Sequence, residues 1–194
     1  GRIAVIENGL DHVGPPPAAD GDALVARSRR FAFFGQATPT KGLDVLVRAA
    51  MLIDRQAGDL PAPIALDVYG VTAEAFAAMW PQLKAPSWVR FRGRYRPQDC
   101  VSIMQGFGWI IIPSVWWENS PVVIQEARAA GTPMIASDIG GMAEKTAGWG
   151  IQFRVGDPDA LAAAMLGVHD RPDILAEHSA RIEKPLDLEG FDRD

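Results

Sequence analysis

Short apolar runs alternate with amphipathic segments from Phe31 onward, and this alternation limits the folds open to the chain. Six runs have the length and composition of strands, and most are followed by a segment with the apolar spacing of a helix. Repeated strand–helix units make right-handed crossovers between parallel strands, with helices on both faces of the sheet. The sequence therefore predicts an α/β protein, a Rossmann-like three-layer sandwich with a parallel sheet. The predicted strands are 31–34, 64–69, 88–91, 109–112, 134–136 and 150–153, and the predicted helices are 42–57, 73–83, 97–106, 121–130, 158–169 and 172–183.

The 194 residues, 48% of them hydrophobic, suffice for one well-packed domain with appended helices. We expect a linker strand and flexible loop over residues 1–30, the main domain over 31–170 and a helical tail over 171–194. The first segment contains a turn at Asn8-Gly9 and the run Pro15-Pro16-Pro17. Since the chain lacks an initiator Met and begins within an apparent strand, we interpret it as a fragment.

Composition argues against several classes of protein. The net charge is −5 and the basic residues are scattered, so we expect no nucleic-acid partner. The single Cys100 excludes an internal disulfide and is typical of a reducing compartment. The chain contains no apolar stretch of membrane-spanning length and no signal peptide. These features predict a cytoplasmic protein, with peripheral contact at the inner face of a membrane left open for the full-length protein.

Two glutamates, Glu118 and Glu126, indicate a site for a ligand. Glu118 follows the apolar run 109–112, in a loop at the carboxyl end of a predicted central strand, where open α/β sheets bind ligands. Ser120 is a natural N-cap and Pro121 suits the first helical position, which predicts a helix to about Ala130. Glu126 then shares a helical stripe with Val122, Val123, Ala129 and Ala130, which we expect to face the rest of the protein. A carboxylate there needs a partner, either a basic side chain of this chain or a ligand.

Three further segments follow predicted strands and should meet at the same edge of the sheet. Gly35 to Gly42 brings Lys41 to a helix N-terminus, which suits a diphosphate, although an exposed lysine is the common alternative. Arg94 and Tyr95 follow the predicted strand 88–91 and can hold a base, or form an ordinary turn. Gly140 and Gly141 allow backbone N–H groups to approach an anion. The tryptophans 116 and 117 either line a cleft or cover the core.

No metal site is expected. The sequence Asp157-Pro158-Asp159 imitates a metal-binding Asp-x-Asp motif, but Asp157 suits an N-cap and Pro158 the first helical position. The three histidines lack the spacing of ligands, and we expect His12, His169 and His178 at the surface.

These residues resemble the C-terminal half of a retaining glycosyltransferase of the GT-B fold, in family four. The Pro-Ser…Glu-Asn-x-Pro setting of the two glutamates is the most specific part of the likeness. The resemblance covers most of the chain and rests on Asn8-Gly9, Lys41-Gly42, Glu118 with Glu126, Gly140-Gly141 and Gly156-Asp157. One departure is Gln36, which stands where the family usually has an arginine that neutralises the diphosphate.

The resemblance implies that residues 31–170 bind a nucleotide sugar without a metal or other cofactor. By this likeness Glu118 contacts the donor sugar, Glu126 holds the ribose, and Lys41 neutralises the diphosphate, with Glu118 and Lys41 as catalytic residues. The implied binding residues are Gly35, Gln36, Lys41, Arg94, Tyr95, Glu118, Asn119, Ser120, Pro121, Val122 and Glu126. The implied reaction is transfer of a hexosyl group with retained configuration to a glycan or lipid-linked acceptor. A missing N-terminal domain would bind that acceptor, and an acceptor associated with a membrane is left open.

Two other functions stay open at the level of sequence. A non-catalytic nucleotide-binding module of the same fold is favoured by Gln36. An NAD-dependent oxidoreductase is compatible with the sheet, but no Gly-x-Gly-x-x-Gly motif opens a helix after the first strand.

Overall fold

The computed structural model describes residues 21–183 except 57, 59, 119 and 120, and its strands form a parallel sheet. The strand order is β3-β2-β1-β4-β5-β6, and every neighbouring pair is parallel. This arrangement confirms the predicted Rossmann-like α/β fold. The strands are β1 (Arg30–Phe34), β2 (Ala65–Tyr69), β3 (Val89–Gly93), β4 (Trp109–Ile112), β5 (Met134–Ser137) and β6 (Ile151–Phe153).

Eight α-helices lie within the described residues, and two 3-10 turns, 39–41 and 97–99, precede the second and fourth of them. The helices are α1 (Gly21–Ser28), α2 (Leu43–Asp54), α3 (Ala73–Met79), α4 (Cys100–Met104), α5 (Val122–Ala130), α6 (Gly140–Thr146), α7 (Pro158–Val168) and α8 (Pro172–Ala180). The predicted helices are present with shorter bounds, because the ends of several are turns.

The core lies on both faces of the sheet because strand residues alternate between the two sides. On β1, Phe31 and Phe33 pack in one cluster with α2, α3, α7 and α8. Ala32 and Phe34 pack in the other cluster, with α4, α5 and α6. Helices therefore cover both faces, as predicted.

Two helices were not predicted from the sequence. The helix α1 lies within residues 1–30, for which we expected a linker and a flexible loop, and α6 begins at the glycine pair expected to be an anion-binding turn. Arg27 of α1 donates to the Phe107 carbonyl at 3.2 and 3.1 Å, a contact 80 residues distant in sequence. The predictions for Asn8-Gly9, for 15–17, for His12 and for 184–194 lie outside the described residues.

Candidate functional site

A cavity of about 940 Å³ opens beside the carboxyl ends of the central strands. Nine of the eleven predicted site residues line it, and the other two, Asn119 and Ser120, lie outside the described residues. The lining comprises Phe34, Gly35, Gln36, Lys41, Gly70, Arg94, Tyr95, Pro97, Glu118, Pro121, Val122, Val123 and Glu126. The structure therefore brings the loops after β1, β3 and β4 together, as the strand order requires.

Lys41 and Glu118 form an ion pair at the wall of this cavity. The Lys41 ammonium donates to both carboxylate oxygens of Glu118, at 2.9 Å to Oε1 and 2.8 Å to Oε2. The buried Ser114 hydroxyl also donates to Glu118 Oε1, at 2.7 Å. Three charge-assisted hydrogen bonds thus fix the orientation of one carboxylate.

Backbone contacts hold the loop that carries Glu118. The Val115 N–H donates to the Thr40 carbonyl at 2.9 Å, which fastens this loop to the turn containing Lys41. On the other side the Gly141 N–H donates to the Glu118 carbonyl at 2.8 Å. The prediction that the glycine pair presents its N–H groups to an anion is therefore wrong for Gly141, because its N–H binds this carbonyl instead.

The helix α5 buries only part of the face that was predicted. Its buried residues include Ile124, Gln125 and Ala127, whereas Val122 is exposed and Glu126 is half-buried at the cavity. The N-terminal part of the expected stripe, Val122 and Val123 with Glu126, therefore lines the cavity. Its C-terminal part packs in the core as predicted, since Ala130 is buried and Ala129 lies against the same cluster. The apolar pattern did not show which valines face the core, because Val122 and Val123 form the apolar part of the cavity wall.

Glu126 has no basic partner among residues 21–183 that the structure describes. Burial raises the pKa of Glu126, and a hydrogen bond with the Cys100 thiol opposes part of the rise. Burial, with Glu126 nearby, raises the pKa of Cys100 to about 12. Burial also raises the pKa of Tyr95, with contributions from Cys100 and Glu126. The carboxylate at the cavity is therefore poorly solvated and lacks a counter-charge, a state that a ligand with hydroxyl groups would relieve.

The N-terminus of α5 also faces the cavity. Pro121 occupies the N-cap position, so the helix begins at Val122, one residue later than predicted, and Pro121 supplies no side-chain acceptor. Val122 and Val123, the first helical residues, both line the cavity. The capping role predicted for Ser120 lies outside the described residues.

Gln36 follows β1 and Arg94 follows β3. Both residues line the cavity, and both are exposed. The neighbouring Arg96 is paired instead with Asp99 at 2.6 Å. Tyr95 packs edge-on against Phe34, with ring centroids 5.4 Å apart. Within the described residues, Lys41 and Arg94 are the cations that line the cavity.

Trp116 and Trp117 are exposed, each at 65% of its surface, and neither lines the cavity. Trp117 lies against Gly140, where an added Cβ would come within 3.3 Å of the indole ring. These tryptophans therefore do not cover the core.

Asp157 caps α7, as predicted, because its carboxylate accepts from the N–H groups of Asp159 and Ala160 at 3.0 Å. The prediction that His169 lies at the surface is wrong: it is buried, and burial lowers its pKa. His178 is half-buried against the Trp149 carbonyl, at 2.9 Å. In the described part of the chain, His, Cys, Asp and Glu side chains do not gather in groups of three or more that suit a metal.

Sequence reasoning missed four lining residues, Phe34, Gly70, Pro97 and Val123. Gly70 follows β2 with φ of +89°, and a Cβ there would lie 2.1 Å from the Gly35 carbonyl oxygen. A glycine directly after a strand was the available signal, since such close approach of two backbones requires one.

The chain matches the family model described as glycosyl transferases group 1 over residues 28–171. It is 28% identical to a D-inositol 3-phosphate glycosyltransferase of Streptomyces scabiei, across 98% of this chain and 46% of that protein. It is 32% identical to the enzyme of the same name from Nocardia farcinica, across 88% of this chain and 41% of that protein. The chain thus spans less than half the length of these relatives.

Solved structures with the same fold include proteins with bound nucleotides. Anabaena Alr3699/HepE in complex with UDP and glucose matches 84% of this chain and 47% of that chain, with a TM-score of 0.65 and 18% identity. A mutant of S. aureus TarM in complex with UDP and other ligands matches 92% of this chain and 34% of that chain, with a TM-score of 0.67 and 16% identity. None of the helices that the structure describes is both long and apolar enough to cross a membrane.

Proposed function

The chain belongs to the glycosyl transferases group 1 family, and from this we propose that it is the donor-binding half of a retaining hexosyltransferase. The donor would be a nucleoside diphosphate sugar and the acceptor a glycan or a lipid-linked group. The observation that carries the proposal is the convergence of Lys41, Glu118 and Glu126 on one cavity at the carboxyl edge of a parallel sheet. The UDP complexes of proteins with this fold support a nucleotide as the ligand class.

Glu126 would accept hydrogen bonds from the two hydroxyls of the ribose. It is a half-buried carboxylate of the cavity, its pKa is raised by burial, and unlike Glu118 it has no cation beside it among the described residues. Hydroxyl donors would compensate for the desolvation without needing a second charge. Tyr95 and Arg94, which lie on the β3 side, would then border the base.

The diphosphate would lie between Lys41 and the N-terminus of α5, beside Pro121 and Val122. The first N–H groups of a nine-residue helix and the ammonium both favour an anion. Gln36 leaves this chain without the arginine that the resemblance implies at its position. Arg94 lines the same cavity and would supply the second cation.

Glu118 would contact the hydroxyls of the donor sugar. Its carboxylate accepts two hydrogen bonds from the Lys41 ammonium, so binding the diphosphate would draw this ammonium away or let the phosphate share it. Ser114 would keep Glu118 in place during the exchange, because its hydrogen bond to Oε1 does not involve the ligand.

The proposed reaction retains the anomeric configuration by attack on the front face. The bond from the anomeric carbon to the phosphate oxygen would break as the acceptor oxygen bonds to the same face, and the acceptor proton would pass to the leaving phosphate. Lys41 and Arg94 would stabilise the charge that develops on the diphosphate, the part that a metal plays in other phosphate chemistry. The proposed route therefore requires no metal ion.

The acceptor site would belong to the part of the longer protein that the relatives have and this chain does not. Because the acceptor must be positioned against the anomeric carbon, we expect this chain to bind a donor without transferring its sugar. A non-catalytic nucleotide-binding module is the second candidate, and Gln36 is the observation that favours it.

Calorimetric titration with UDP, GDP, ADP and NAD tests the proposal. We expect binding of one nucleoside diphosphate and weaker or no binding of NAD. Glu126→Gln should weaken binding of the preferred nucleoside diphosphate by about 1.5–3 kcal/mol, since charge-assisted hydrogen bonds are lost. Undiminished affinity in the folded variant would contradict the ribose assignment. Sugar transfer by the full-length protein, compared with this chain alone, separates the enzyme from the binding module.

A further inference from the structure

Three arginines from the two strands that flank β2, namely β1 and β3, surround one buried carboxylate of β2, outside the cavity. Asp67 of β2 is 1% exposed and pairs with Arg90 at 2.8 Å, Arg92 at 3.1 Å and Arg30 at 3.8 Å. The parallel register places Ala32, Asp67 and Arg90 side by side on β1, β2 and β3. The cluster therefore lies on the sheet face that carries Ala32.

The cluster has more positive charge than Asp67 requires. One guanidinium balances a buried carboxylate, whereas three leave a local excess of two charges in a chain whose formal net charge is −5. A guanidinium has five N–H donors. Arg90 uses Nε and Nη2 on Asp67, and Arg92 uses Nε. Nη1 of Arg90 and both Nη atoms of Arg92 have no acceptor among the described residues.

The three guanidiniums are accessible and held in place. The side chains of Arg30, Arg90 and Arg92 are 41%, 46% and 42% exposed, so none of the described helices covers this end of the sheet face. Arg30 also stacks over the Phe107 ring at 4.6 Å. A preorganised set of donors loses little side-chain entropy when an anion binds.

The cluster is separate from the cavity. None of its three arginines lines the cavity. Tyr69, two residues after Asp67 on the same face, makes an edge contact with Tyr95, with ring centroids 6.0 Å apart, and Tyr95 borders the cavity. Aromatic rings therefore stand between the arginines and the cavity.

We propose that Arg30, Arg90 and Arg92 form a second anion-binding site, which takes a phosphate group presented by a lipid headgroup or as free phosphate. Guanidinium groups bind phosphate oxygens through paired N–H donors, and the excess of two charges matches a phosphate dianion. Asp67 sets the directions of the side chains, and the remaining donors bind the anion. The open, exposed position suits a group that arrives at a surface rather than one that is enclosed.

The experiment uses Lys41→Ala as its background, so that phosphate cannot bind through the Lys41 ammonium in the cavity. One arm measures inorganic phosphate binding by calorimetry at about 20 mM salt, where surface charges are weakly screened. The other arm measures co-sedimentation with vesicles of phosphatidic acid and phosphatidylcholine, against pure phosphatidylcholine, because the phosphate monoester of phosphatidic acid can carry two negative charges. Binding in the phosphate arm alone assigns a free anion, and binding in the vesicle arm assigns a headgroup.

The test variant is Arg90→Gln with Arg92→Gln, and the matched control is Arg48→Gln with Arg55→Gln, two exposed arginines at α2. Both pairs change the net charge equally. We expect the test pair to weaken binding at least about fivefold and the control pair to change it less than about twofold. Equal weakening by both pairs, or no binding in either arm, would overturn the proposal.

We expect Asp67→Asn to strengthen anion binding, whereas the double arginine variant should weaken it. Asp67→Asn removes the competing negative charge but keeps a side-chain oxygen that can still accept from Arg90 and Arg92 and orient them, so anion binding should strengthen about threefold. This variant also serves if the double arginine variant does not fold, since melting temperatures are recorded for all of them. Unchanged or weaker binding by folded Asp67→Asn would show that the arginines serve only to neutralise Asp67.

Discussion

Gly42 lies so close to Pro113 that a Cβ on Gly42 would sit 1.8 Å from the Pro113 carbonyl oxygen. The contact joins the turn that carries Lys41 to the strand end that precedes Glu118. Gly42 also has φ of +65°, where residues other than glycine are strained. The two loops of the proposed catalytic pair can thus approach each other only with glycine at this position.

Gly42→Ala should therefore destabilise the chain by about 2–5 kcal/mol, from backbone strain plus the clash. Gly156→Ala is the matched control, because Gly156 has φ of +71° but no atom within 4 Å of the position that a Cβ would take. Gly156→Ala should lower the free energy of unfolding by only about 1–2 kcal/mol. Denaturant unfolding measures both, and equal losses would mean that the Pro113 carbonyl moves aside without cost.

Ser114→Ala should destabilise the chain by about 1–2 kcal/mol, because it removes a buried hydroxyl that donates to a carboxylate. Ser137→Ala is the control: its hydroxyl is also buried, but it donates to the Ile112 carbonyl at 3.4 Å. We therefore expect Ser137→Ala to lower stability by less than Ser114→Ala does. Thermal unfolding of the two variants tests the difference, and a Ser114 loss no larger than that of Ser137 would contradict the assigned role in orienting Glu118.

Local sequence patterns predicted the sheet because most strands are short apolar runs, and the parallel topology then determined which loops meet. Nine of the predicted site residues line the cavity for this reason. The helix α1 was missed because its docking depends on Arg27 and the distant Phe107 carbonyl. A contact between residues 80 positions apart leaves no local periodicity.

The sequence pattern also could not predict which residues of α5 are buried. A valine contributes the same apolar surface to a core as to a cavity wall, so Val122 and Val123 could not distinguish the two. Gln125 is buried and Val122 exposed, which reverses the expectation from polarity. Likewise His169 is buried because the tertiary fold brings it to the Pro63 carbonyl, at 3.4 Å.

Lys41→Ala should weaken binding of a nucleoside diphosphate by about 1–3 kcal/mol and leave the nucleoside nearly unchanged. We expect a modest loss of affinity because the Lys41 side chain is 37% exposed and its ammonium is already paired with Glu118. Calorimetry with the diphosphate and the nucleoside measures the difference. Lys84→Ala, at an exposed lysine elsewhere, is the control, and equal weakening of both ligands by Lys41→Ala would argue against a phosphate contact.

Gln36→Arg should tighten diphosphate binding about threefold to tenfold, because it adds an exposed cation to the cavity wall. Nucleoside affinity should not change. The gain should shrink as salt rises, since exposed charges are screened. Looser binding would mean that the Gly35–Lys41 loop is arranged around glutamine, and that Arg94 already supplies the second cation.

Glu126→Gln should stabilise the free chain at neutral pH even though it weakens nucleotide binding. Burial raises the pKa of Glu126 above its ordinary value of 4.5, so the folded chain holds this proton more tightly than the unfolded chain. The ionised carboxylate therefore lowers stability as pH rises through 4.5 and up to the raised pKa, and the cost is constant above that. The melting temperature of Glu126→Gln should exceed that of the wild type at pH 7, and the difference should vanish below about pH 4.

Glu144→Gln, at an exposed position of α6, is the control and should match the wild type. A lower melting temperature for Glu126→Gln at pH 7 would mean that the carboxylate is stabilised within the protein itself, and that a ribose is not needed to account for it.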